Sequence, residues 1–306
     1  MNYIGETIEH EILEKHILAG KIARKAQKKA LELLKPGTKL LEIAQKIEDF
    51  IIKEKGFPAW PVNLSINQDA AHDTPAWQDE RILGKEDLVK VDIGVSVEGY
   101  LADSAFSFNA SGQWNKLIQT SEKALQTALE TVKIGMLVGE IGKVIEAEIK
   151  SAGFNPVENL MGHGLGQYNQ HVPPSIPNIA KIGGAKIEEE KAYAIEPFVS
   201  TGKGYVSEAS GAEIFQENEV RNVRSAQARK ILEHVIEKYQ GLPFAERWIE
   251  QELKLGDFSR KTGLKELLQA KCIRAFPVLR EQKGIYVAQS ENSFIIHGGE
   301  TIILVK

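Results

Sequence analysis

A stretch written twice constrains this chain more than any other feature. Residues 30–57 read ALELLKPGTKLLEIAQKIEDFIIKEKGF and residues 128–154 read ALETVKIGMLVGEIGKVIEAEIKSAGF; at an offset of 98, ten of the first twenty-two positions are identical. A one-residue slip then matches Gly56-Phe57 with Gly153-Phe154. Each copy reads as the end of one helix, a Lys-x-Gly turn and a second, amphipathic helix. Leu40, Ile43, Ile47, Phe50 and Ile51 recur at helical spacing in the first, and Val138, Ile141, Ile145 and Ile149 in the second. Pro36-Gly37 and Gly135 break the chain between the helices. The first copy is followed by Asn63-Leu64, His72 and a strand carrying Asp92. The second is followed by Asn159-Leu160, His163, His171 and the strand AYAIEPF (192–198), which carries Glu196. Two α/β halves about a pseudo-twofold axis then share one sheet, and acids from both halves meet at its middle.

The stretch VDIGVSVEGYLADSAF (91–106) reads as a β-hairpin with Asp92 on one arm and Asp103 on the other. A turn near Val97–Glu98 makes them cross-strand neighbours within roughly 5–8 Å, an arrangement that like charges destabilise. Beyond Glu196 the pattern changes. Residues 226–272 are mostly helical, and strands return at 276–279, 284–297 and 300–306, the last pair carrying Glu291. We read one catalytic domain over 1–306, with 219–276 a helical insertion between strands of one sheet.

Four strand-borne carboxylates (Asp92, Asp103, Glu196, Glu291) brought together need protons or cations at neutral pH. Two divalent ions balance them, and His163, from the glycine-rich Met161-Gly162-His163-Gly164, supplies a neutral nitrogen. Oxygen donors with one imidazole suit Mn, Fe, Co or Zn without selecting among them. Such a pair activates water and polarises a carbonyl.

The formal charge of −4 argues against a nucleic-acid binder held by bulk charge. A single cysteine, Cys272, allows no internal disulfide and fits a reducing compartment. The N-terminal residues lack an apolar signal core and no run approaches eighteen apolar residues, so a cytoplasmic protein with no membrane segment is expected. His10, His16 and His234 read as solvated helix residues, and the basic run KIARKAQKK (21–29) as a solvated face or a site of transient ribosome contact.

In order along the chain, FPAWPVNLSINQDAAHDTP, VDIGVSVEGYLADSAF, NLMGHGLGQYNQHVPPSIPN, AIEPF and VAQSENSF resemble the methionine aminopeptidases. The helical insertion with LPFAERW (242–248), and a catalytic repeat starting near residue 1, resemble the type 2, archaeal-like members. The resemblance implies the pita-bread α/β fold with its internal pseudo-symmetry. It implies a two-metal site on Asp92, Asp103, His163, Glu196 and Glu291, with Asp103 and Glu291 bridging. It also implies removal of the initiator methionine from nascent proteins and peptides when the second residue is small. Glu196 then shuttles a proton, His171 hydrogen-bonds the developing oxyanion, and His72 engages the scissile amide. Trp60 stands in the methionine pocket where Phe is common, Asp73 where Tyr is usual, and Asn292-Ser293 where His-Thr is usual. These departures bear on side-chain preference. A monomer is expected. An Xaa-Pro dipeptidase, and a catalytically silent ribosome- or RNA-associated protein, are the alternatives on the same fold.

Overall fold

The computed structural model describes the backbone of residues 3–306 and side chains from His10 onward. The repeat is visible as two helix pairs, α1 (Tyr3–Leu33) with α2 (Leu40–Lys53), and α3 (Asn115–Thr131) with α4 (Val138–Ser151). Gly37 and Gly135 turn each pair with positive φ (89° and 77°), where a glycine has no Cβ to clash. The offset of 98 holds to the end of each copy. Gly56 N–H donates to the Ile51 carbonyl as Phe154 N–H does to Ile149, and Lys55 N–H to Ile52 as Gly153 N–H does to Lys150. Lys55 and Gly153 both take the left-handed conformation (φ 69° and 87°). The helix cap is therefore what repeats, Lys55 corresponds to Gly153, and the one-residue slip that aligned the Gly-Phe pairs is not structural.

Among the described residues, nine strands form the main sheet. They are β1 (Phe57–Pro58), β2 (Asn63–Ile66), β3 (Leu88–Val97), β4 (Tyr100–Asn109), β5 (Met161–Gly166), β6 (Asn169–Pro177), β7 (Ala192–Ile195), β8 (Glu291–His297) and β9 (Glu300–Ile303). The order is β1–β3–β4–β8–β7–β5–β6, with β2 also on β3 and β9 on β8. The C-terminal β8 thus lies between the two halves.

Alternation along the strands divides the sheet into two faces. Val91, Ile93 and Val95 join Ile22, Ile43 and Ile47 in a core with α1 and α2. Tyr193, Ile195, Phe294 and Ile296 join Ala124, Ile141 and Ile145 in a core with α3 and α4. Each such side chain contributes up to about 1.5–3 kcal/mol on burial, so the helix face is held firmly and the opposite face is left for chemistry. His16 of α1 belongs to this packing. It is 5% exposed, and its Nδ1 lies 2.7 Å from the Leu101 carbonyl, so its expected place on a solvated helix face is overturned.

The insertion contains α5 (Ala226–Tyr239), α6 (Glu246–Leu253) and α7 (Asp257–Gln269). It is rooted on an antiparallel pair, 214–217 against 273–276. Arg247 of α6 is fully buried and donates to Glu48 of α2, to Thr74 Oγ1 (2.8 Å) and to the Pro75 carbonyl (3.0 Å). One guanidinium thereby ties the insertion to α2 and to the loop that follows His72.

Candidate active site

Two residues set the geometry of the β3–β4 hairpin. Glu98 and Gly99 form its turn, both at positive φ (51° and 86°), as a two-residue hairpin loop requires. The turn falls one residue later than the sequence reading placed it. Asp92 consequently faces Ala105 and Asp103 faces Gly94, so the two aspartates are diagonal rather than directly opposed neighbours. Glu291 of β8 also pairs with Ala105, Ser293 pairs with Ala194 of β7, and Ala194 pairs with His163 of β5. With a period of two, Asp92, Asp103, Glu291, His163 and Glu196 (just past β7) all face the side of the sheet away from the helices.

The donor atoms of Asp103, His163 and Glu291 lie within 4.8 Å of one another. His163 Nε2 is 3.7 Å from Asp103 Oδ2 and 3.8 Å from Glu196 Oε1. His163 Nδ1 lies 3.3 Å from the Gly164 carbonyl, which can only accept, so Nδ1 carries the proton and Nε2 presents a lone pair to the acids. Burial raises the Asp92 carboxyl to about 6. Burial and the neighbouring carboxylates push Asp103, Glu196 and Glu291 well above the usual range. Burial lowers His163 to about 4. Buried Asp103 Oδ1 has no hydrogen-bond partner. An imidazole lone pair facing Asp103 and Glu196 from beyond hydrogen-bond distance, with an orphaned carboxylate oxygen beside it, fits divalent cations.

A cleft of about 480 Å³ opens over these residues, with Trp60, Ile214, Phe276 and Leu279 among its apolar lining. His72 and His171 border it. The His171 ring stands edge-on to His163 with centroids 4.3 Å apart. Desolvation by the atoms around it, then His163, His72 and Arg274, push it down, although the residue itself remains exposed. His72 is lowered to about 4 by burial; its Nδ1 faces the Pro277 carbonyl at 3.3 Å and its ring meets the Phe276 edge. Both imidazoles are therefore neutral near pH 7.

The departures noted in the sequence sort by direction. Asp73 turns to Arg81, which grips both its oxygens (2.8 and 3.0 Å). Asn292 lies on the helix face and bonds the Val305 carbonyl and N–H. Of these positions only Trp60 lines the cleft, so the expected influence of Asp73 and Asn292 on side-chain preference has no direct route. Sequence reasoning missed two polar neighbours. Gln289 donates to Glu291 Oε2 (3.1 Å) and hydrogen-bonds Asp92, and Ser293 Oγ accepts from Asp103 N–H at 3.0 Å. Both lie two residues from Glu291, a signal that strand alternation contained.

The chain matches the model of metallopeptidase family M24 over residues 14–223. It is 44% identical to a methionine aminopeptidase of Thermococcus onnurineus, covering 92% of this chain and 95% of that one. Further relatives between 34% and 42% identical carry the same name. Among solved structures, a thermophilic Arx1 superposes with a TM-score of 0.85 at 17% identity, covering 96% of this chain and 90% of that one. A methionine aminopeptidase of Thermotoga maritima superposes at 0.70 and 20% identity, covering 97% of each. The architecture is the pita-bread fold, and the chain belongs to metallopeptidase family M24 and, within it, to the methionine aminopeptidases, which remove N-terminal methionine with the help of divalent metal ions.

Proposed function

We propose that this enzyme removes the initiator methionine from nascent proteins whose second residue is small, acting as a cytoplasmic monomer. The observation that carries the reading is the row of five donors from five adjacent chain segments on one face, beneath a cleft with an apolar wall. Asp92, Asp103, His163, Glu196 and Glu291 would hold two divalent ions, which supply Lewis acidity to the carbonyl and to the attacking water.

The chain's own groups supply the rest. Glu196, whose Oε1 lies 3.8 Å from His163 Nε2 on the floor of the cleft, is placed to take the proton of the attacking water and pass it to the leaving amine. His171, neutral and beside His163, would donate to the oxygen as it gains charge, an interaction stronger in the transition state than in the ground state. His72 holds its Nδ1 proton on Pro277, which leaves Nε2 to accept from the scissile amide N–H. Trp60, Phe276 and Leu279 would receive the thioether side chain, for which an indole face is a favourable partner.

A cytoplasmic location is supported by the single cysteine, and among the described residues no helix is long and apolar enough to cross a membrane. A transient ribosome contact would fall on the exposed Lys21, Arg24, Lys25 and Lys28 of α1. The test is release of free methionine from Met-Ala-Ser with and without Mn²⁺ or Co²⁺. Metal-dependent release is expected; folded protein that releases none under either ion would refute the reading.

A further inference from the structure

Trp60 does more than wall the cleft. Its indole Nε1–H donates to Asp92 Oδ1 at 3.1 Å, and the residue is only 8% exposed. The ring is fixed from behind. Ala59 N–H bonds the Gly94 carbonyl at 3.0 Å, and the indole lies so close over Gly94 that a Cβ there would stand 2.4 Å from it. Gly94 is the residue directly opposite Asp103, two places along the strand from Asp92. The missing side chain at Gly94 thus lets the indole pack against the strand and direct its N–H to Asp92. Gln289 is the other side-chain partner of Asp92, and it also holds Glu291.

We infer that Trp60 is a positioning residue for the cation site built on Asp92: its N–H locks the carboxylate so that the free lone pairs point at the ion. A phenyl ring at this place would still wall the cleft but leave Gln289 as the side-chain donor to Asp92. Outer partners of metal ligands are typically worth about 10–100-fold in affinity. The pocket wall and one of the two cation sites are thereby coupled through a single side chain.

The inference rests on the assignment of Asp92 as a metal ligand, and the experiment separates the two. The full-length chain, stripped by chelation, is titrated calorimetrically with Mn²⁺ as wild type, Trp60→Phe, Gly94→Ala and Asp92→Asn. Trp60→Phe is expected to weaken one of two binding events about 10-fold and leave the other unchanged. Gly94→Ala, which retains every donor but displaces the ring, should weaken the same event. A general loss of structure would move both events together and lower the melting temperature. If Asp92→Asn loses one event while Trp60→Phe keeps both at wild-type affinity, the positioning role is wrong and the ligand assignment stands. If Asp92→Asn also keeps both, the ligand assignment itself fails and the inference with it.

Discussion

His163 Nε2 faces Asp103 Oδ2 across 3.7 Å with the imidazole proton on the far nitrogen, turned to Gly164. Two lone pairs held at that separation by two strands of one sheet, β4 and β5, repel unless something positive lies between them. The surrounding acids make the demand stronger, since after burial it is Asp103 and Asp92 that push the carboxyls of Glu196 and Glu291 up.

Asp103→Ala and Glu291→Ala should therefore abolish methionine release. Each removes a donor from the tightest part of the cluster. The loss should exceed the roughly 100-fold that follows when only an outer partner of a ligand is removed. Peptide turnover and Mn²⁺ stoichiometry measured on the same samples check this. Wild-type turnover in either variant would remove that residue from the site.

His171→Ala should lower kcat by about 10²–10³-fold with a smaller change in KM, as expected for a donor that acts on developing charge. The ring stands over His163 and contributes no donor to the buried cluster, so metal stoichiometry should stay at the wild-type value. A variant that loses metal but not kcat at saturating metal would contradict this role.

The residue types of the site were legible because acids on apolar strands are expensive unless something neutralises them. The repeat was legible because two helix pairs with the same buried faces need the same spacing. Register was not: whether Asp92 opposes Asp103 or Ala105 depends on a two-residue turn at Glu98-Gly99, and a shift of one residue in the turn changes every pair. Side-chain direction was not legible either. Asn292 adjoins Glu291 in sequence, yet strand alternation sends it to Val305 on the helix face. His16 sits among charged residues on a long helix, and only tertiary packing against Leu101 buries it. The bond from Trp60 to Asp92 joins residues 32 apart through the pairing of β1 with β3, which no local pattern announces.

The acidity of Asp92 gives a pH prediction. Burial raises its folded pKa to about 6, against an unfolded value near 4. Between those values the native chain keeps a proton that the unfolded chain has lost, so this group lowers stability as pH rises through about 4–6 and adds nothing further above. In chelated protein, Asp92→Asn should thus be more stable than wild type by a margin that grows over that window and then levels off. Saturating Mn²⁺ should reverse the order, since only the carboxylate gains from the ion. Urea unfolding at several pH values measures both. A margin independent of pH would mean that Asp92 keeps an ordinary acidity in the fold.

Arg247 joins the insertion to the frame that carries His72, and its removal should destabilise the whole chain. Its guanidinium is fully buried and its partner Glu48 is 5% exposed. Glu48 also accepts from Trp248 Nε1 (2.9 Å) and Val62 N–H (3.0 Å). Arg247→Met leaves that carboxylate buried without its cation, a loss of about 3–5 kcal/mol for an ion pair broken on one side. Adding Glu48→Gln removes the stranded charge; Trp248 and Val62 bond different oxygens of Glu48, so the single amide oxygen keeps an acceptor for one of them, and the double variant should recover part of the loss. Because Thr74 and Pro75 also lose a donor two and three residues beyond His72, the single variant should raise KM or lower kcat even at temperatures where it remains folded. Urea melts of the single and double variants, read beside turnover at low temperature, test both parts. Equal stability of single and double variants would show that the carboxylate is accommodated without Arg247.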